Sequence, residues 1–149
     1  MSWRKFGFAA PELAAFGAAM LTKRLAYLAT IRADGALRVH PVSPFISHDT
    51  LFVYMEPTSP KGKDLRRDGR YAMHCSVEDE SGGGGEFCVR GRAVVVDEPQ
   101  TRGKAFDAAR AIGYKPNDRY VLFELGVEEA LATTYEDGVP VRRRWRPGN

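Results

Sequence analysis

The sequence predicts a mainly β, α+β fold: a small antiparallel barrel with short helices at its ends. Short β-prone runs recur at residues 25–31, 36–46, 51–55, 71–77, 86–96, 119–125, 130–135 and 139–145. Asp34-Gly35 and Asp137-Gly138 stand between consecutive runs and supply the positive φ angles of tight hairpin turns. Helical periodicity is confined to a few short stretches. Strands joined by hairpins, with few helices to cover a sheet, close most readily as a barrel.

The elements follow in order. Pro11-Glu12 opens a first helix, with proline in the first turn where its missing donor is harmless, and Leu13, Phe16, Met20 and Leu21 then share one stripe. The run 25–31 and the return run 36–46 flank Asp34-Gly35, and Ser47-His48-Asp49-Thr50 turns the chain into 51–55. Ser59 is a good N-cap and Pro60 a good first helical residue, so a short helix starts there. The runs 71–77 and 86–96 flank the flexible loop Ser81-Gly82-Gly83-Gly84-Gly85. Asp97-Glu98-Pro99 starts a last helix, with Phe106, Ala109 and Ile112 on one face and Gly113 as its stop. Three strands complete the chain.

A chain of 149 residues fits one domain, 1–149, and buries enough surface to need no disulfide or metal staple. At 44% hydrophobic and 28% charged, it is neither a disordered chain nor a coiled coil. The apolar runs are far too short for a membrane-spanning helix, and no charged-then-apolar leader opens the sequence. Two cysteines, Cys75 and Cys88, are too few for a disulfide framework. These features predict a cytoplasmic protein that does not engage membranes. The net charge of +3 comes from the end of the chain: Arg142, Arg143, Arg144 and Arg146 lie in the last eight positions, and without them 18 cations face 19 carboxylates. A nucleic-acid binder spreads its excess charge over a face and interleaves it with aromatics, where only Trp145 qualifies. Nucleic acid is therefore not an expected partner.

The segment 54–65 holds the most chemistry. A helix start offers unpaired N–H groups and partial positive charge, and Ser59, Lys61 and Lys63 add a hydroxyl and two ammonium groups in that turn, a setting suited to phosphate. Arg38 and His40 alternate along the preceding strand block and so share a face. His40, His48 and His74 are scattered, and His74 and Cys75 point to opposite faces of one strand, so no metal site is expected. Cys75 and Cys88 lie on either side of the glycine loop, which makes them candidate cross-strand neighbours; two buried thiols is the plainer reading. Neither a nucleophile elbow nor a G-x-G-x-x-G turn occurs. In the tail, Val141, Arg143 and Trp145 share one strand face while Arg142, Arg144 and Arg146 share the other.

Three blocks in order resemble the pyridoxamine 5′-phosphate oxidase-like flavoproteins, the FMN-binding split β-barrels. They are residues 25–42, with Arg38-Val39-His40-Pro41-Val42; residues 51–74, with Ser59-Pro60-Lys61-Gly62-Lys63-Asp64-Leu65; and Glu86-Phe87-Cys88-Val89-Arg90-Gly91-Arg92-Ala93. The resemblance implies a six-stranded antiparallel Greek-key split barrel with a few peripheral helices. It also implies a homodimer with FMN at the subunit interface, and oxidoreduction of a small organic molecule. Carried onto this chain, it implies that Lys61 holds the phosphate with Ser59 beside it, and that Arg38 and His40 lie along the phosphate or the polar edge of the flavin. Tyr54, Met55 and Val42 would line the ring. Trp145 would neighbour the ring from the partner subunit, with Arg144 toward an anionic substrate, or else Trp145 packs at the dimer seam in a solvated basic terminus. Pro60 stands where the oxidase has Arg, and Met55 where it has Thr. The alternatives are an F420 (deazaflavin)-dependent reductase of the same fold, or a flavin- or haem-binding module without turnover.

Overall fold

The computed structural model describes residues 1–148. Two helices come first, α1 (Trp3–Ala9) and α2 (Pro11–Lys23), followed by strands β1 (Ala26–Ile31), β2 (Leu37–Val42), β3 (Phe45–Ser47) and β4 (Thr50–Met55). Helix α3 (Pro60–Arg67) leads into β5 (Arg70–Cys75) and β6 (Glu86–Val95), and α4 (Pro99–Ala111) into β7 (Val121–Leu125), β8 (Glu129–Glu136) and β9 (Val139–Trp145).

All pairings are antiparallel, and β6 belongs to two sheets at once. Its residues 86–90 pair with β8 and its residues 93–95 with β7, while its other edge pairs with β5 over residues 88–92. The larger sheet therefore runs β2-β1-β5-β6-β8-β9 and the smaller one β6-β7-β4-β3. Sharing one long strand curls the two into a half-barrel. The change of partner takes place at Gly91. There the β7–β8 link crosses β6: Gly126 N donates to Arg92 O (2.9 Å) and Glu128 N to Arg90 O (2.8 Å). A Cβ on Gly91 would lie 1.8 Å from Gly126 O. The Arg90-Gly91-Arg92-Ala93 string thus has a backbone reason for its glycine.

The described residues hold nine strands where the resemblance implies six. One cause is the return run 36–46, which breaks at Ser43-Pro44 into β2 and β3 because proline cannot donate into a ladder. Pro41 and Pro140 survive inside strands because β2 and β9 are edges, paired on one side only. Helix α1 carries no helical stripe long enough to be read from sequence; Ser2 caps it by accepting from Lys5 N (3.3 Å), and Trp3 and Phe6 anchor it.

Strand β4 is buried on both faces and divides two apolar clusters. Leu51, Val53 and Met55 enter the barrel interior with Leu28, Val42, Leu65, Phe87 and Phe123. Phe52 and Tyr54 face outward onto α4, in a second cluster with Phe45, Ala105, Ala109 and Leu122. Two helix stripes differ from expectation. In α4 the buried pair is Ala105 and Ala109, and Ile112 is 67% exposed, because small side chains let the helix lie close on the aromatics of β4. In α2 the buried line is Leu13, Ala14, Gly17 and Leu21; Gly17 lets the Phe87 ring approach to where a Cβ would stand only 2.3 Å away. The cysteines are not cross-strand partners. Cys88 pairs with His74, so Cys75 points into the core, where its Sγ accepts from Phe87 N (3.1 Å), and Cys88 points out.

Gly91→Ala should destabilise the protein by roughly 2–4 kcal/mol, since the clash is with backbone. Gly103→Ala in the exposed middle of α4, with nothing within 4 Å, should stabilise it by about 0.5–1 kcal/mol. Denaturant midpoints of the two variants against the parent check both signs.

Candidate functional site

The hairpin β1–β2 and helix α3 meet around one carboxylate. Asp64 faces the sheet from the second turn of α3, its side chain only 4% exposed. Thr30 Oγ1 on β1 donates to Oδ2 (2.8 Å), Arg38 Nε on β2 to the same oxygen (2.7 Å), and Arg67 Nη2 to Oδ1 (3.1 Å). Arg67 Nη2 also donates to the carbonyl of Ile31. Burial alone would raise the Asp64 carboxyl; the hydrogen bonds from Arg38, Thr30 and Arg67, with the Arg38 charge, outweigh it and hold the group below its ordinary value.

Beside this knot opens a cavity of about 380 Å³, lined by Arg32, Ala33, Asp34, Arg38, Pro60, Lys63, Asp64 and Arg67. Four cations against two carboxylates leave its lining at +2. Arg32 pairs with Asp34 across the hairpin turn (3.3 Å). Arg38 keeps both Nη groups free of protein acceptors among the described residues. A surface so arranged takes an anion with several acceptor oxygens.

The structure brings together only part of the set drawn from sequence. Arg38 and Lys63 line the cavity. Ser59 caps α3, accepting from Gly62 N (3.4 Å), and is buried. Lys61, turned about 100° round the helix from Pro60, is half-buried and outside the lining. His40 shares the inward face of β2 with Arg38, one pleat further on. The expected wall of Val42, Tyr54 and Met55 is not assembled: Val42 and Met55 sit in the barrel core, whereas Tyr54 lies on the other face of β4, stacked between Phe45 (5.5 Å) and Tyr114 (6.0 Å). Alternation along β4 forces that separation. Trp145 is 8% exposed and packs on Phe6 (4.8 Å) within the same chain. Arg144 pairs with Glu129 (3.1 Å), which also holds Arg146 (3.2 Å) and Arg90 (3.5 Å). Sequence reading missed Thr30, Arg32, Asp64 and Arg67. A lone Asp among the cations of α3, beside the core residue Leu65, was the available sign.

Neither a protein-family profile nor a curated protein matches the chain by sequence. Solved structures do match in shape. A candidate pyridoxamine 5′-phosphate oxidase from Listeria innocua aligns with a TM-score of 0.66 at 12% identity, over 82% of this chain and 95% of that one. The fold is the pyridoxamine 5′-phosphate oxidase-like split β-barrel. A NimC/NimA family protein from Clostridium acetobutylicum shares this split barrel at TM-score 0.65 and 16% identity, over 96% of both chains. So does a haem-binding protein from Mycobacterium smegmatis, at 0.67 and 16%, with 89% of this chain spanning 57% of that one. No helix among the described residues is long and apolar enough to cross a membrane, and no group of three His, Cys, Asp or Glu side chains placed to hold a metal ion occurs among them.

Because the Asp64 carboxyl is depressed in the folded split barrel, its contribution to stability is present above its ordinary value near 3.8 and is lost as pH falls through the folded value. Urea unfolding from pH 5 to pH 2 should show a shallower acid decline for Asp64→Asn than for the parent. Parallel declines would remove Asp64 from the acid limb.

Proposed function

We propose that this chain is a homodimeric FMN-binding oxidoreductase acting on a small organic molecule in the cytoplasm, with the flavin phosphate docked among Arg32, Arg38, Lys63 and Arg67. The observation that carries the reading is that cavity, with its net charge of +2 and its unpaired Arg38 nitrogens, on a split-barrel scaffold. Bound FMN supplies the hydride chemistry. The chain's part is to hold the phosphate, orient the cofactor and exclude water. Lys63 is exposed on the cavity side of α3, while Asp64 holds Arg38 and Arg67 and Asp34 pairs with Arg32.

The wall for the flavin ring falls to the subunit seam, since Val42, Tyr54 and Met55 are committed to the cores. The outer face of β1–β2 fits that seam: Tyr27 (47% exposed), Leu37 (75%) and Val39 (63%) form an apolar surface with Pro41 and Ile31. A second copy covering it removes an apolar patch that a monomer rarely leaves in water. The two free cysteines fit a reducing compartment.

Haem binding without turnover is the second reading, and one feature favours it. Tyr27, His74 and Cys88 lie side by side in one cross-strand row of the outer face and offer phenol, imidazole and thiol to iron. Against it, hydrogen bonding to Cys75, opposed by burial, pushes His74 up to about 9, so iron would have to displace a proton at neutral pH.

The absorbance spectrum of the purified protein separates flavin from a Soret band, and titration with FMN, F420 and haem ranks the three. FMN should bind, and Lys63→Ala should weaken it about tenfold, the scale of one charge-assisted contact. Lys61→Ala should weaken it less. Binding of haem alone, or equal effects at the two lysines, refutes the reading. Val39→Glu should yield folded monomers by light scattering, with FMN binding reduced; a persisting dimer would place the seam elsewhere.

A further inference from the structure

The Asp64 carboxylate lies in the lining of a cavity otherwise suited to anions, where its charge opposes the guest. A site selected for attraction alone would not keep it. Its contacts explain its presence. It engages one nitrogen of Arg38 and one of Arg67, and Thr30 fixes the carboxylate from behind. Two guanidinium groups brought to one cavity repel each other; a carboxylate between them holds both in place and leaves their remaining N–H groups for the guest.

We infer that Asp64 is the positioning residue of this site, aiming Arg38 and Arg67 as a matched pair at a doubly charged phosphoryl terminus. The inference rests on the anion-site reading above and adds the choice of ligand class to it. A net charge of +2 is balanced by a phosphomonoester dianion, whose three terminal oxygens can accept from both arginines and from Lys63 at once. A carboxylate offers two oxygens and a single charge and leaves part of that array unpaired.

The Asp64→Asn variant separates aim from charge, because the two predict opposite signs. Removing the carboxylate charge raises the lining from +2 to +3, so charge alone predicts tighter binding of phosphate. Positioning predicts weaker binding, by about tenfold. The measurement is calorimetric titration of parent and variant with inorganic phosphate, and with FMN and riboflavin, which differ only in the phosphate. Asp64→Asn should weaken phosphate and FMN, leave riboflavin unchanged, and so collapse the FMN-over-riboflavin ratio. A merely structural role would lower all three affinities together or none. Thr30→Val keeps every charge and removes only the hydroxyl behind Asp64. It should lower the same ratio about threefold, and it decides the matter if Asp64→Asn fails to fold. Unchanged or tighter phosphate binding in the folded variant overturns the inference. If the parent binds phosphate but not FMN, and Asp64→Asn loses the phosphate, positioning stands and the flavin reading falls. A parent that binds neither overturns both.

Discussion

A buried carboxylate has to be answered by donors, and around that requirement the junction of β1, β2 and α3 is organised. Taking Asp64 out of water costs several kcal/mol, which a single ion pair does not reliably return. Here three donors come from three elements: Thr30 from β1, Arg38 from β2 and Arg67 from α3 itself. Withdrawing one donor leaves a buried charge short of partners, a loss on the order of 3–5 kcal/mol when the partner is ionic. The hairpin and the helix are therefore fixed relative to each other by polar geometry, in a place where apolar packing would have tolerated sliding. Arg67 extends the same constraint to the end of β1 through the Ile31 carbonyl.

The other end of the larger sheet shows a contrasting use of charge. Arg144 and Arg146 of the terminal strand, with Arg90 of β6, converge on the single carboxylate of Glu129. All three arginines are more than half exposed, and ion pairs of that kind contribute little to stability. Their effect is positional, keeping a basic strip on the outer face. Trp145, between Arg144 and Arg146 in sequence, turns the opposite way and closes the barrel against Phe6.

The strands and hairpins were legible because their causes are local. Asp-Gly turns, β-branched runs and prolines at helix starts act within a few residues, and a small antiparallel barrel follows from their order, its split form being implied only by the family resemblance. The break at Ser43-Pro44 was visible as a proline, but whether it ends a strand depends on which edge is paired, and Pro41 three residues earlier does not end one. Helix α1 has seven residues, too few for a periodicity to show. The site was half legible. Arg38 and Lys63 could be named from charge and spacing, whereas Asp64 could not, because its role is set by Thr30 and Arg38, which are 34 and 26 residues away in sequence. The assignment of Tyr54 to a ring wall failed for a related reason. Alternation along β4 turns Tyr54 and Met55 opposite ways, and the docking of α4 makes both faces interior.

The two surfaces invoked for function are the two faces of one six-residue strand. In β2, Arg38, His40 and Val42 point inward to the cavity and the core, and Leu37, Val39 and Pro41 point outward. A strand's alternation cannot be altered for one face alone, since a slip of one residue against β1 would carry Arg38 to the outer face and Val39 to the cavity. The pairing Thr30↔Arg38 is the register that lets both side chains reach Asp64, so the carboxylate reports on that register directly. The polar knot beside the cavity thereby also sets which side chains the β1–β2 face offers to the proposed second subunit. The proposed ligand site and the proposed seam are coupled through the backbone of β2, and no separate mechanism is needed to keep them in step.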